Sequence, residues 1–181
     1  MFSIALTLAL ASLSPAATAT SIISNAAIAV CFAPEEDCSA FAVRAINNAE
    51  RQILVGAYGL TTGSGIVEAL VRAKERGVDV RLIADKTTPC ERQSGIEPLA
   101  AAGVPVWIDD QARIAHAKTM VIDGAVTLTR SMNWTVTNSE DVNLVSSPTV
   151  AAAYAAHWHK RLAVSAPFDK REDWCRVGSA T

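Results

Sequence analysis

Between His116 and Asn133 the chain carries an imidazole, an ammonium, a hydroxyl and a carboxamide, in His116, Lys118, Ser131 and Asn133. From His116 the pattern alternates through Lys118, Met120 and Ile122, so on a strand His116 and Lys118 project from one face. Asp123-Gly124 is a hairpin turn signal, and the run from Ala125 to Thr129 returns as an antiparallel strand that brings Ser131 and Asn133 back to the same end. Such a set suits a phosphate. Lysine and asparagine bind its non-bridging oxygens, while a histidine attacks phosphorus or carries a proton.

In-line cleavage of a phosphodiester needs two groups on opposite sides of phosphorus, one to attack and one to protonate the leaving oxygen. A single imidazole cannot do both in one step. The three histidines are His116, His157 and His159; only His116 sits in a polar constellation, and the other two read as surface and packing residues. Two copies of the motif are therefore needed, and two-fold dimerisation supplies the second by setting one patch against itself. With a lysine from each copy supplying positive charge, no metal or other cofactor is required.

The spacing His116-x-Lys118-x4-Asp123, followed by Ser131-x-Asn133, resembles the HKD motif of the phospholipase D superfamily. Val30-Cys-Phe-Ala-Pro-Glu, the stretch from Ala69 to Arg81 and Asn138-Ser-Glu-Asp extend the resemblance to short, single-motif bacterial members, which are secreted endonucleases. The resemblance implies a homodimer with the active site at its interface and attack by His116 to form a phosphohistidine. It also implies that Glu140 orients the attacking imidazole, with Asp141 as the competing candidate. Lys118 and Asn133 are expected on the phosphate with Ser131 assisting, and Asp123 is read as structural, holding the turn after the strand. One position departs from the pattern, because Arg130 stands where the family usually has glycine. If the strand phase continues, its side chain points away from Ser131 and Asn133; if it turns inward, it adds a phosphate contact or blocks the site.

The rest of the chain must position these groups. Met1 to about Ala19 is apolar, contains no charged residue and ends in Ala17-Thr18-Ala19, which reads as a secretory signal with an Ala-x-Ala cleavage site and predicts a secreted or periplasmic protein. Residues 20–166 then form the catalytic domain and 167–181 a tail. With 181 residues, half of them apolar, the chain buries one sizeable core. The net charge of −2 gives no global basic footprint, so a polyanion must be held locally. Arg113, Lys118 and Arg130 surround the motif; Lys160, Arg161, Lys170 and Arg171 read as a solvated helix face and tail. Cys31, Cys38, Cys90 and Cys175 are an even count, which in an exported chain favours two disulfides of undetermined pairing. A zinc site is disfavoured because no Cys-x-x-Cys occurs.

Strand and helix patterns alternate from Ala27. Strands are expected over Ala27 to Phe32, Ile53 to Tyr58, Val78 to Ala84, Val104 to Ile108 and Val142 to Val145. Helices are expected from Cys38 to Arg51, from a Ser64 cap to Arg76 with Gly77 ending it, from Gln93 to Ala102, and from Val150 to Leu162 with an Ala151, Ala155, Trp158, Leu162 stripe. The loop Thr61-Thr-Gly-Ser-Gly-Ile lacks the Gly-Lys-Ser/Thr ending of a phosphate-cradling P-loop. The pattern predicts an α/β fold, a mixed and mainly parallel sheet with helices on both faces. Three functions stay open: a nuclease acting on DNA, with RNA as a second substrate, a phospholipase or cardiolipin-type hydrolase of lipid phosphodiesters, and a non-catalytic nucleic-acid-binding homologue should Arg130 obstruct the site. The lack of an obvious long apolar loop for acyl chains favours the nuclease, whose phosphate contacts would carry little base information.

Overall fold

The computed structural model describes residues 22, 25–131, 133–135, 140–169 and 174, with the side chain of Glu140 left out. The expected signal segment and most of the tail, including Lys170, Arg171 and Cys175, lie outside the described residues.

The elements are β1 (Ala27–Ala33), α1 (Cys38–Asn47), β2 (Gln52–Ala57), α2 (Ile66–Glu75), β3 (Asp79–Asp85), a 3-10 turn (Thr88–Cys90), α3 (Ile96–Ala101), β4 (Val106–Asp109), β5 (Lys118–Ile122), β6 (Val126–Arg130), β7 (Glu140–Ser146), α4 (Pro148–Leu162) and the short β8 (Ala166–Pro167). The strands form one sheet in the order β1-β7-β6-β5-β2-β3-β4-β8. The expected mixed α/β class holds, with one correction of proportion. Parallel pairing is confined to β2-β3 and β3-β4; the other pairs are antiparallel. The parallel pairs are those joined by the α2 and α3 crossovers, whereas loops and a tight turn connect β4 through β7, and β8, reached through α4, lies antiparallel on β4.

Helices cover both faces, but unequally. The larger core joins α1, α2 and α3 to one side of the sheet through residues such as Ile46, Leu70, Leu99, Val55 and Met120. On the other side α4 is the one helix among the described residues, setting Ala151 and Trp158 on Leu54, Ile83 and Val121, with Ala155 and Leu162 beside them. The expected α4 stripe is therefore core. Pro148 occupies its first turn and Ser147 caps it, a place where the missing proline N–H costs nothing.

Three local expectations shift. Helix α2 is capped by Gly65, at φ +78°, and not by Ser64, whose hydroxyl only reaches the Ile66 N–H at 3.4 Å. Helix α3 begins at Ile96, because Gln93 adopts φ 64° and turns the chain before the helix can start. Helix α1 stops at Asn47, short of the expected Arg51. Cys31 and Cys38 form a disulfide that ties β1 to the start of α1, and Cys90 is disulfide-bonded to a partner outside the described residues.

Candidate active site

The hairpin that carries the motif forms as expected. Asp123 and Gly124 adopt φ 54° and φ 66°, left-handed backbone that reverses the chain, and a three-residue connection from Asp123 to Ala125 leaves Ile122 paired with Val126. Asp123 also reaches outside the hairpin. Its carboxylate accepts the backbone N–H groups of Glu50, Arg51 and Gln52 at 2.8–2.9 Å, and the Arg51 guanidinium donates to its carbonyl at 2.6 Å. Burial pushes this carboxyl up, yet the three N–H donors and Arg51 hold it below the ordinary aspartate value. Asp123 is seven residues from His116, roughly 20 Å along an extended chain, and it anchors the far end of β5.

At the near end, β5 pairs with β2 so that Lys118 lies opposite Ala57. The next backbone bond runs from the Tyr58 N–H to the Ala117 carbonyl, at 2.7 Å. The extended approach to β5 thus places His116 over Tyr58, with ring centroids 4.5 Å apart and planes at 50°. His116 is exposed, whereas Lys118 is only 7 % exposed. The Lys118 Nζ lies 3.1 Å from Nδ1 and 3.0 Å from Nε2 of His116. Because the in-plane lone pairs of the two nitrogens diverge, one ammonium cannot lie along both. The contact is a charge held against the ring, and it leaves the tautomer to be set by other partners.

The segment before His116 is fixed by Asp85, fully buried at the end of β3, which accepts the Ala115 N–H at 2.6 Å and two bonds from Thr87. The buried carboxylate is satisfied by the N–H and O–H of Thr87, just after β3, and by one N–H of the loop that aims the histidine.

Asn133 reaches the site from β6. Trp134 donates its N–H to the Gly59 carbonyl at 2.9 Å and accepts from the Thr61 N–H at 3.1 Å, which seats Asn133 against Gly59. A β-carbon on Gly59, whose φ is +69°, would lie 2.5 Å from the Asn133 side-chain nitrogen. Glycine is therefore demanded twice, by conformation and by contact. Ser131 is exposed, and its hydroxyl accepts the Asp141 N–H at 3.0 Å while the Ser131 N–H donates to the Asp141 carbonyl. Its first role in this fold is to clamp β6 to the start of β7. Glu140 opens β7 opposite Ala33; its side chain, like Asn138 and Ser139, lies outside the described residues.

Arg130 turns toward the three-helix face. One step beyond the Thr119–Thr129 pair it stands directly across from Lys118, and its guanidinium lies 4.8 Å from the Trp134 ring centroid. At 7 % exposed it is tucked beside the site, leaving His116 open. Burial first, and the Arg130 charge second, push the Lys118 ammonium below the ordinary lysine value. Of the other expected cations, Arg113 is exposed on the loop before His116, Lys160 is exposed on α4, and Arg161 is engaged bidentately with Asp109 at 2.6 and 2.7 Å. That bond holds Asp109 below the ordinary aspartate value despite the opposing effect of burial. His157 and His159 are exposed on α4, as expected of surface residues.

Tyr58, Gly59, Asp85 and Trp134 are site residues that motif spacing does not reveal. The one sequence signal for the first two is their place immediately after the apolar run of β2, where a strand in an α/β sheet commonly hands over to a functional loop.

A groove of about 480 Å³ opens on the α4 side, lined by Ile83, Ile114, Ala117, Tyr154 and Trp158 together with His116.

An imidazole, a buried ammonium and a carboxamide at one end of a mixed sheet define a phospholipase D-like phosphoryl-transfer fold. The chain belongs to the phospholipase D superfamily: residues 42–162 match the family described as "Cardiolipin synthase, PLD-like domain". It is 35% identical over 147 residues to a phospholipase D of Rickettsia prowazekii, covering 79% of this chain and 71% of that one. It is also 35% identical over 99 residues to a mitochondrial cardiolipin hydrolase of Xenopus tropicalis, covering 52% of this chain and 47% of that one. The crystal structure of Nuc, a phospholipase D family member from Salmonella typhimurium, superposes with a TM-score of 0.74 at 28% identity, covering 81% of this chain and all of Nuc. NucT from Helicobacter pylori shares the fold, with a TM-score of 0.71 at 19% identity.

Proposed function

We propose that this protein is an exported, metal-independent endonuclease that cleaves DNA, and RNA by the same contacts, through a phosphohistidine formed at a homodimer interface. The observation that carries the reading is the Lys118 ammonium held 3.0–3.1 Å from an exposed His116 ring. His116 attacks phosphorus in line, forming the N–P bond as the P–O bond to the leaving group breaks. His116 of the partner subunit delivers a proton to the departing oxygen. That imidazole then takes a proton from water, whose oxygen attacks phosphorus as the N–P bond breaks. Lys118 and Asn133 stabilise the equatorial oxygens, Ser131 assists, and Glu140 orients the attacking ring. The apolar segment before residue 20 and the oxidised Cys31, Cys38 and Cys90 support export.

In-line geometry requires the two imidazoles to stand roughly 7 Å apart across the phosphate. Strand β1 is three strands from β5, about 14 Å, so edge-to-edge pairing through β1 would hold the two rings far too widely. The α4 side, where His116 lines the groove and Ile114 and Tyr154 are 48% and 37% exposed, is the mating face this reading requires.

A second reading, a phospholipase or cardiolipin-type hydrolase, draws on that same groove. Its lining is largely apolar and it adjoins His116, which weakens the sequence-based argument against acyl chains, and two relatives carry lipid-hydrolase names. The nuclease reading stands first because the chain spans the whole of Nuc. A catalytically degenerate homologue loses its main support, since Arg130 lies on Trp134 and His116 stays exposed.

The test is plasmid cleavage in chelator by the wild type and by His116→Ala, beside hydrolysis of cardiolipin and phosphatidylcholine vesicles. Nicking by the wild type alone is expected. Lipid hydrolysis without nicking replaces the first reading with the second, and inactivity on both substrates ends both.

A further inference from the structure

We propose that Tyr58 is a positioning residue for the His116 imidazole, acting through the face of its ring. The inference rests on the phosphohistidine reading of His116. Three observations converge on Tyr58. Its ring lies 4.5 Å from the His116 ring, at a 50° tilt. The same ring lies 5.2 Å from the Lys118 Nζ, inside the distance at which an aromatic face attracts an ammonium. Its backbone N–H donates to Ala117, the residue between the two, at 2.7 Å. The Tyr58 backbone is thus fixed to the strand that carries His116 and Lys118, which sets the ring's point of attachment beside both.

The chemistry explains why a ring belongs here. When His116 bonds to phosphorus its ring gains positive charge, about 3 Å from an ammonium that is itself buried. Two cations so close repel, and no water shell surrounds Lys118 to screen them. An aromatic face offers negative quadrupole density to both without carrying a charge that would repel the substrate phosphate. A carboxylate in its place would neutralise Lys118 and deter the diester. The ring also closes one side of the imidazole, so that the attacking nitrogen keeps its direction while the other side stays open to substrate. Nothing in this role uses the phenolic hydroxyl.

The experiment replaces Tyr58 with Phe, with Leu, and with phenylalanines of increasing ring fluorination, which keep the shape while removing negative density from the face. Turnover on a DNA substrate and the ordering of the His116 ring, from NMR relaxation of its labelled C–H groups, are measured for each. Tyr58→Phe is expected within about threefold of wild type in kcat, and Tyr58→Leu about tenfold or more below it. KM should stay nearly constant, because the face acts on the charged ring formed during attack. The fluorinated series should fall in steps with its cation affinity. The His116 ring should be ordered in the wild type and the Phe variant and mobile in the Leu variant. Full turnover in Tyr58→Leu, a flat fluorinated series, or a loss in Tyr58→Phe equal to that in Tyr58→Leu overturns the proposal. Should the wild type cleave no diester, the phosphohistidine reading falls, while the ring ordering still decides whether Tyr58 positions His116: an unchanged order in Tyr58→Leu refutes it.

Discussion

Lys118 and Arg130 face each other across β5 and β6, two cations on neighbouring strands and each only 7 % exposed. Like charges directly opposed on a sheet are unfavourable, and the cost appears on Lys118, whose ammonium is pushed down by burial and then by Arg130. In the proposed mechanism Lys118 stabilises phosphate charge, and for that it must be protonated. Activity should therefore fall on the alkaline side before an ordinary lysine would titrate, near about pH 10.4. Arg130→Met removes the smaller of the two causes, so the alkaline limb should move up without reaching the ordinary value. A pH–rate profile of wild type and variant checks this, and an unmoved limb refutes it. The linkage has a definite sign: the fold binds the Lys118 proton less tightly than the unfolded chain, so its contribution to stability improves as pH rises between the two values.

Gly59 is predicted to matter for catalysis more than for folding. Alanine there must adopt φ +69° and would drive a methyl into Asn133. Strain of this kind costs about 1–3 kcal/mol, and the relief open to the chain is to push the carboxamide out of the site. Gly59→Ala should retain cooperative unfolding but lose about a hundredfold in kcat, as does removal of a transition-state donor elsewhere. A crystal structure of the variant with Asn133 unmoved would refute the explanation.

Asp123→Asn should show the opposite separation. The carboxylate serves three backbone donors far from His116, so the variant should lose about 1–2 kcal/mol of stability with turnover at 25 °C unchanged. Since the folded value is depressed, this contribution is present above the unfolded aspartate value and is lost as pH falls through the folded one. Urea unfolding at several acid pH values should thus show a weaker pH dependence for Asn than for Asp. Equal slopes would refute the assignment.

The two-subunit mechanism makes a numerical prediction. When wild type and His116→Ala are co-expressed in equal amounts and mix freely, only dimers with two intact imidazoles turn over, so activity per chain should be about one quarter of wild type. About one half is the result if each subunit acts alone, and about three quarters if one His116 per dimer suffices. Ile114→Glu places a charge on the α4 side and should separate the subunits and abolish activity together; sedimentation equilibrium checks the first and plasmid nicking the second.

Much of this architecture was legible in the chain itself, for local reasons. Asp123-Gly124 encodes a turn that few other dipeptides form, and the alternation after His116 can be satisfied only by a strand, so the hairpin and the meeting of His116 with Lys118 follow from residues close in sequence. The Ala151, Ala155, Trp158, Leu162 stripe read as core for the same reason. Helix ends were less legible, as at α3, where Gln93 takes a left-handed conformation that its residue type does not announce.

The sequence by itself determined which groups the protein can offer a phosphate and that His116, Lys118 and Asn133 belong to one motif, because strand periodicity and turn chemistry act over a few residues. Only the tertiary structure decided that Arg130 lies on Trp134 opposite Lys118, that Asp85 holds the loop before His116, and that Tyr58 and Gly59 floor the site. The Asp85, Tyr58 and Gly59 contacts join segments roughly 30 to 75 residues apart, and the place of Arg130 depends on the register of β6 on β5; sheet order and register are specified by no local pattern.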